Sequence, residues 1–253
     1  MPRLLAIDVG NTQTALGLFE DGRLERHWRL ATEPQRTGDE LRLFLGGLLE
    51  LASLEGMALA STVPTLLRSY EELAVDVGTP LLVLGPGTRT GIRIRYDDPR
   101  EVGPDRIANA VAVRERHGAP SIVVDFGTST NFDVVSAEGE YVGGVLAPGI
   151  EVSMEALFKR AARLVKVDYA APEKAIGKTT ESALRSGLVY GFAGQVDGIV
   201  GQIRAELGDE RALVVATGGL AELITPHSKT VGKIDPFLTL EGLRIVWELN
   251  ERD

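Results

Sequence analysis

Three aspartates stand where a carboxylate could act on a phosphorylated ligand. Asp105 lies in Gly103-Pro104-Asp105-Arg106, at a helix start, after a glycine and beside a guanidinium. A carboxylate there can accept the proton of a hydroxyl nucleophile, a contribution of roughly 10²–10⁴-fold when it lies within hydrogen-bond reach. The same position suits a plain first-turn carboxylate that favours the helix dipole, and local sequence leaves both roles open. Asp8 and Asp125 each close an apolar run and precede a glycine by two residues. The first phrase is Leu4-Leu5-Ala6-Ile7-Asp8-Val9-Gly10-Asn11-Thr12, and the second is Ser121-Ile122-Val123-Val124-Asp125-Phe126-Gly127-Thr128. A carboxylate at a strand end can orient a metal ion or metal-bound water. The glycine after it lets backbone amides approach an anion that a side chain would block. One such phrase fits an ordinary hairpin, since Asp and Gly are common turn residues. Its recurrence, with polar residues following both times, favours a phosphate-binding device built from two related halves.

Other motifs are less specific. Gly177-Lys178-Thr179-Thr180 is not a P-loop, because position 172, where the pattern needs its first glycine, is Pro172. What remains is a helix N-terminus with two hydroxyls, either a seat for a carboxylate or phosphate or simple capping. Thr217-Gly218-Gly219 after a strand could let a flat ring lie against backbone, or could be a plain strand-to-helix turn. No glycine pattern matches the dinucleotide fingerprint.

The elements that must position these residues follow from periodicity. Strands are expected at Arg3–Asp8, Thr14–Glu20 and Leu24–Leu30, the last two joined by Asp21-Gly22, a strong hairpin signal. A helix follows over Asp39–Leu54, then a strand at Met57–Thr62, a helix through Leu66, Tyr70, Leu73 and Val77, and a strand at Pro80–Leu84. Pro104 opens a helix that runs to His117. The order then restarts, with strands at 121–125, 130–136 and Tyr141–Leu146 and a helix after Pro148-Gly149. A long helix spans Thr179–Leu207, a strand Ala212–Ala216 meets Thr217-Gly218-Gly219 with a helix after it, and Leu240–Glu251 closes the chain. The repeat divides the chain into halves at 1–115 and 116–253.

Composition narrows the classes. The 253 residues carry a formal net charge of −9, which argues against nucleic-acid and anionic-membrane surfaces. An anionic ligand must therefore be held by local amides, a few basic groups and metal ions. The absence of cysteine excludes disulfides, thiolate catalysis and cysteine-ligated zinc. His27, His117 and His227 show no ligand spacing. With no signal peptide and no apolar run near the ~18 residues of a spanning helix, the expected compartment is the cytoplasm.

Taken together, these residues resemble the acetate kinase, sugar kinase, Hsp70 and actin superfamily. That implies an α/β fold of two ribonuclease-H-like (actin-like ATPase) halves, each a mixed sheet flanked by helices, with the active site in the cleft between them. Narrower still, the chain is similar to type III pantothenate kinases across essentially its whole length. The phrases around Asp8, Asp105 and Asp125, Gly143-Gly144 with Pro148-Gly149, Gly177-Lys178-Thr179-Thr180, Thr217-Gly218-Gly219 and the closing Asp235-Pro236-Phe237-Leu238-Thr239-Leu240-Glu241-Gly242-Leu243 occur in that family's order. Ser129 stands where that family often has alanine, and Asn131 where it often has threonine.

The resemblance implies ATP-dependent phosphorylation of pantothenate, the first step toward coenzyme A, by a homodimer. Asp8, Val9, Gly10, Asn11, Thr12, Gln13, Thr14, Ala15 and Thr128 would bind ATP, and Asp105 would be the proton acceptor. Tyr96, Gly103, Pro104, Asp105, Arg106 and Thr180 would hold pantothenate. Asp125 would bind a monovalent cation, potassium or ammonium, with Mg²⁺ on the nucleotide. Rival readings are another phosphotransferase of the superfamily, a non-catalytic regulator of transcription, and an actin-like polymer. The acidic balance and the presence of all three aspartates weigh against the regulator.

Overall fold

The computed structural model describes residues 3–161, 164 and 166–251. The chain forms two units, Met1–Ala112 together with Leu238–Asp253, and Val113–Phe237.

The first unit opens with strands β1 (Arg3–Val9), β2 (Gln13–Glu20) and β3 (Arg23–Ala31), paired antiparallel. The β2–β3 hairpin turns through Asp21 and Gly22, both at positive φ (49° and 74°), the twist that a two-residue hairpin requires. Helix α1 (Gly38–Gly46) leads to β4 (Gly56–Ser61), and α2 (Pro64–Val77) to β5 (Leu81–Val83). Strand β4 pairs parallel to β1, and β5 parallel to β4, so the sheet order is β3-β2-β1-β4-β5. Leu5, Ile7 and Val9 of β1 pack under Leu41 and Leu45 of α1 and Leu66, Tyr70 and Leu73 of α2.

Helix α1 ends earlier than apolar spacing suggests. Gly46 and Gly47 lie in succession, Gly47 is its C-cap, and Leu51–Ser53 forms a separate 3₁₀ turn. Each interior glycine costs a helix about 1 kcal/mol relative to alanine, enough here to outweigh the apolar stripe. At its other end Thr37 and Glu40 form a reciprocal capping box.

The second unit repeats the same topology. Strands β6 (Ser121–Phe126), β7 (Ser129–Val135) and β8 (Tyr141–Pro148) are antiparallel neighbours. Helices α4 (Ile150–Arg160) and α5 (Thr180–Leu207) precede β9 (Leu213–Gly218), and α6 (Ala221–Ile224) precedes the two-residue β10 (Lys233–Ile234). Strand β9 pairs parallel to β6 and β10 parallel to β9, giving the order β10-β9-β6-β7-β8. Ile122, Val124, Phe132, Val134 and Val214 pack against Leu188, Val189, Val196, Val200 and Ile203 of α5. The opposite side of α5 exposes Gly187, Gly191, Gly194, Gly198 and Gly201.

Helix α3 (Pro104–His117) carries the chain from the first unit to the second, and the chain returns just before α7 (Leu238–Glu251). Within the second unit, buried Asp235 accepts from Arg116 Nε at 3.2 Å and lies 2.9 Å from His117 Nε2, so the end of α3 holds the segment that leads to α7. Within the first unit, α7 lies on β1, β2 and β4. Two glycines lie at its contacts. A Cβ at Gly56 would fall 2.0 Å from Trp247 Cζ2, and one at Gly242 would fall 2.0 Å from Ala108 O of α3. A ring can tilt, but a helix backbone cannot be pushed aside locally. Gly242→Ala is therefore expected to destabilise the protein by about 1–3 kcal/mol or more through overpacking, seen as a lower urea midpoint; an unchanged midpoint would contradict this contact.

Candidate active site

In the first unit, Asp8 occupies the penultimate position of β1, half-buried between Ala15 of β2 and Ala60 of β4. Every residue of β1 from Leu4 to Ile7 is buried, so position 8 is the first in that run where a charge keeps contact with water. Between the paired residues Val9 and Thr14 the chain turns through the four residues Gly10–Gln13, closed by Gly10 N–H donating to Gln13 O at 3.0 Å. Asn11, Thr12 and Gln13 are exposed, Thr14 is buried, and Ala15 is half-buried. Thr32 and Thr62, which follow β3 and β4, donate to the carbonyls of this turn: Thr32 Oγ1 to Gly10 O at 2.7 Å, and Thr62 Oγ1 to Val9 O at 3.1 Å.

In the second unit, Asp125 stands at the matching place in β6, half-buried between Asn131 of β7 and Thr217 of β9. Its turn is one residue shorter, Gly127–Ser129, closed by Gly127 N–H donating to Ser129 O at 3.1 Å. Two other glycines shape this corner. A Cβ at Gly149, the N-cap of α4, would meet Thr128 O at 2.1 Å. Gly218 has φ 89°, and a Cβ there would lie 2.6 Å from both Asp125 Oδ1 and Phe126 O. Only glycine leaves that notch open, and the two oxygens beside it suit a hard cation. Ser129 Oγ donates to Asn131 Oδ1 at 2.6 Å, so the two residues that depart from the family's usual pattern are bonded to each other.

Asp105 is the second residue of α3. The residue keeps some exposed surface, but its Oδ1 is shut off from water and has no hydrogen-bond partner among the described residues. Burial pushes the carboxyl above the usual carboxylate range, against the opposing pull of the Arg106 N–H and guanidinium and its own backbone N–H. Gly103 makes room for it, since a Cβ at 103 would fall 2.4 Å from Asp105 Oδ1. Arg106 is buried, and Tyr96 is half-buried in the loop before the helix. Thr180 is the exposed first residue of α5, and the capping there is done by Thr179 and Ser182, which form a reciprocal box.

Thus Asp8–Ala15, Tyr96 and Gly103–Arg106 belong to the first unit, and Asp125, Thr128 and Thr180 to the second. Thr128 is exposed on its turn. Among the described residues no three His, Cys, Asp or Glu side chains gather into a metal cluster. Mg²⁺ suits such a site, because it commonly uses one or two carboxylates, substrate phosphates and water rather than a protein cage. Thr32 and Thr62 escape a reading of local motifs, since each is distant in sequence from the turn it holds.

Two sheets of one topology, each with an aspartate next to the end of its central strand and a glycine turn after it, define the actin-like fold. Among solved structures, a Campylobacter jejuni protein assigned to the Baf family of transcriptional activators is 18% identical with TM-score 0.65, covering 98% of this chain and 100% of that one. The inorganic polyphosphate/ATP-glucomannokinase of Arthrobacter sp. strain KM is 15% identical with TM-score 0.52, covering 99% and 100%. At such identities the likeness is one of fold. The type III pantothenate kinase family model matches residues 4–202, and the type III pantothenate kinase of Moorella thermoacetica is 51% identical over 253 residues, 98% of this chain and 99% of that protein. The chain belongs to the type III pantothenate kinase family.

Replacing Asp105 by Asn should lower turnover by roughly 10²–10⁴-fold. A folded-state pKa raised above the unfolded value favours the fold only while the carboxyl is protonated, and that contribution is lost as pH rises through the folded pKa. Above the folded pKa the charged Asp105 therefore weakens the fold, so Asp105→Asn should melt at the wild-type temperature or higher. Near-wild-type kcat, or a marked fall in Tm at pH 7.5, would contradict this assignment.

Proposed function

We propose that the protein transfers the γ-phosphoryl group of ATP to the primary hydroxyl of pantothenate, yielding 4'-phosphopantothenate for coenzyme A biosynthesis. The observation that carries this reading is 51% identity, over nearly the whole of both chains, to a type III pantothenate kinase.

Phosphoryl transfer asks little covalent chemistry of a protein; it asks for alignment and neutralised charge. Amides of the Asp8–Ala15 segment and the Thr128 corner hold the triphosphate, which lets a protein of net charge −9 bind a polyanion. Tyr96, Gly103, Pro104, Arg106 and Thr180 hold pantothenate, with buried Arg106 suited to its carboxylate. Asp105 accepts the proton of the attacking hydroxyl, and its raised pKa makes it a stronger base than an exposed aspartate. Asp125 and Phe126 O hold a monovalent cation, potassium or ammonium, beside the Gly218 notch. Mg²⁺ bound to the nucleotide supplies further neutralisation of phosphate charge.

The internal repeat runs over 1–115 and 116–253 as two ATPase halves, and the working form is a homodimer in the cytoplasm. Self-association is supported by the exposed glycines of α5 at 187, 191, 194, 198 and 201, where an added Cβ would meet nothing within 4 Å among the described residues. Small residues at that spacing let a second helix approach closely. Among the described residues no helix is long and apolar enough to cross a membrane.

Purified protein with Mg²⁺, potassium and ATP should release ADP only when pantothenate is added, and sodium in place of potassium should abolish most of that activity. ADP release with other hydroxyl acceptors but not pantothenate would overturn the substrate; full activity in sodium would overturn the cation. Gly194→Gln should shift the light-scattering mass from dimer toward monomer, and a wild-type monomer would refute the dimer.

A further inference from the structure

We propose that Thr32 is a positioning residue for the nucleotide, aiming the amides of Asn11 and Gln13 at the polyphosphate from behind the turn. The proposal rests on the reading that the Gly10–Gln13 turn holds ATP.

Thr32 is the first residue after β3, far from any substrate-binding motif in the sequence. Its N–H donates to Thr12 O at 3.0 Å, and its Oγ1 donates to Gly10 O at 2.7 Å. Thr14 Oγ1 lies 2.9 Å from Thr32 Oγ1. A hydroxyl has one proton to give. Thr32 spends its own on Gly10 O, so the buried Thr14 is the donor to Thr32.

In a planar trans peptide the carbonyl and the following N–H point in opposite directions. Drawing Gly10 O toward Thr32 turns Asn11 N–H away from it, and drawing Thr12 O the same way turns Gln13 N–H. Thr62 holds Val9 O in like manner, through its N–H at 3.0 Å and its Oγ1 at 3.1 Å. The carbonyls of Val9, Gly10 and Thr12 are therefore all held by groups outside the turn. Without the Thr32 hydroxyl, the Gly10–Asn11 peptide loses its outside anchor and can rotate its oxygen toward a bound phosphate. Attraction would then become repulsion at one of the few contacts an acidic protein has for a polyanion.

Steady-state kinetics of the full-length enzyme test this. Thr32→Val keeps the backbone donor and the side-chain volume but removes the hydroxyl. The KM for ATP should rise about tenfold, with kcat and the KM for pantothenate changed by no more than about twofold. Thr32→Ser, which restores the hydroxyl, should return the KM for ATP to near wild type. A residue that only supported the fold would lower the active fraction, and so kcat, without moving the KM for ATP. An unchanged KM for ATP in Thr32→Val, or a Ser variant as impaired as the Val variant, overturns the proposal. If Thr32→Val cannot be purified folded, Thr32→Ala must show the same ATP-specific rise. Asn11→Pro, which deletes one aimed amide, tests the underlying reading separately. An unchanged KM for ATP there means that the turn does not hold the nucleotide. A raised KM there, with a normal one in Thr32→Val, sinks the role of Thr32 alone.

Discussion

A carboxylate in the middle of a sheet costs least where its residue keeps some contact with water. Strands β1 and β6 are the centres of their sheets, each flanked by one antiparallel and one parallel neighbour. Their side chains are buried as far as Ile7 and Val124, and the next residue in each is a half-buried aspartate. Leaving either carboxylate one position earlier would strand it in the core, at a cost of several kcal/mol. Each aspartate thus takes the half-buried position near the carboxyl end of its central strand.

The same opposition governs Asp105. Burial raises the affinity of its carboxyl for a proton, and it works against the folded state when the group is charged. Its Oδ1 is closed off without a partner among the described residues, Gly103 yields the space, and the backbone N–H groups at the helix start with the Arg106 guanidinium limit the penalty. Glycine has a comparable part at Gly149 and Gly218, where any side chain would collide with the backbone of the second turn or with Asp125. These are steric demands within the protein itself, apart from any ligand.

Much of the plan was legible in the residues. Alternating and unbroken apolar runs marked the main strands, Asp21-Gly22 named its turn, and the repeated Asp-x-Gly phrase located both corners. Less visible were features set by competition or by distance. Helix α1 stops at Gly46 although Leu48, Leu49 and Leu51 continue the apolar pattern, because backbone cost beats periodicity there. Strand β10 is two residues long and exists only through its pairing with β9, so no periodicity could announce it. Ser129 and Asn131 looked like separate departures from a family pattern, yet they form one hydrogen-bonded pair.

By itself the sequence determined what is local: strand and helix periods, turn chemistry, the carboxylates at strand ends, and the ordered motifs that mark the family. The tertiary structure decided what depends on neighbours far along the chain. It assigned α7 to the first unit although that helix follows the second repeat, and it set Thr32 and Thr62 behind a turn that precedes both. It also left Asp105 Oδ1 without a partner among the described residues. The physical reason is that periodicity and turn preference act over a few residues, whereas burial and hydrogen-bond partnership exist only once distant segments share the same space.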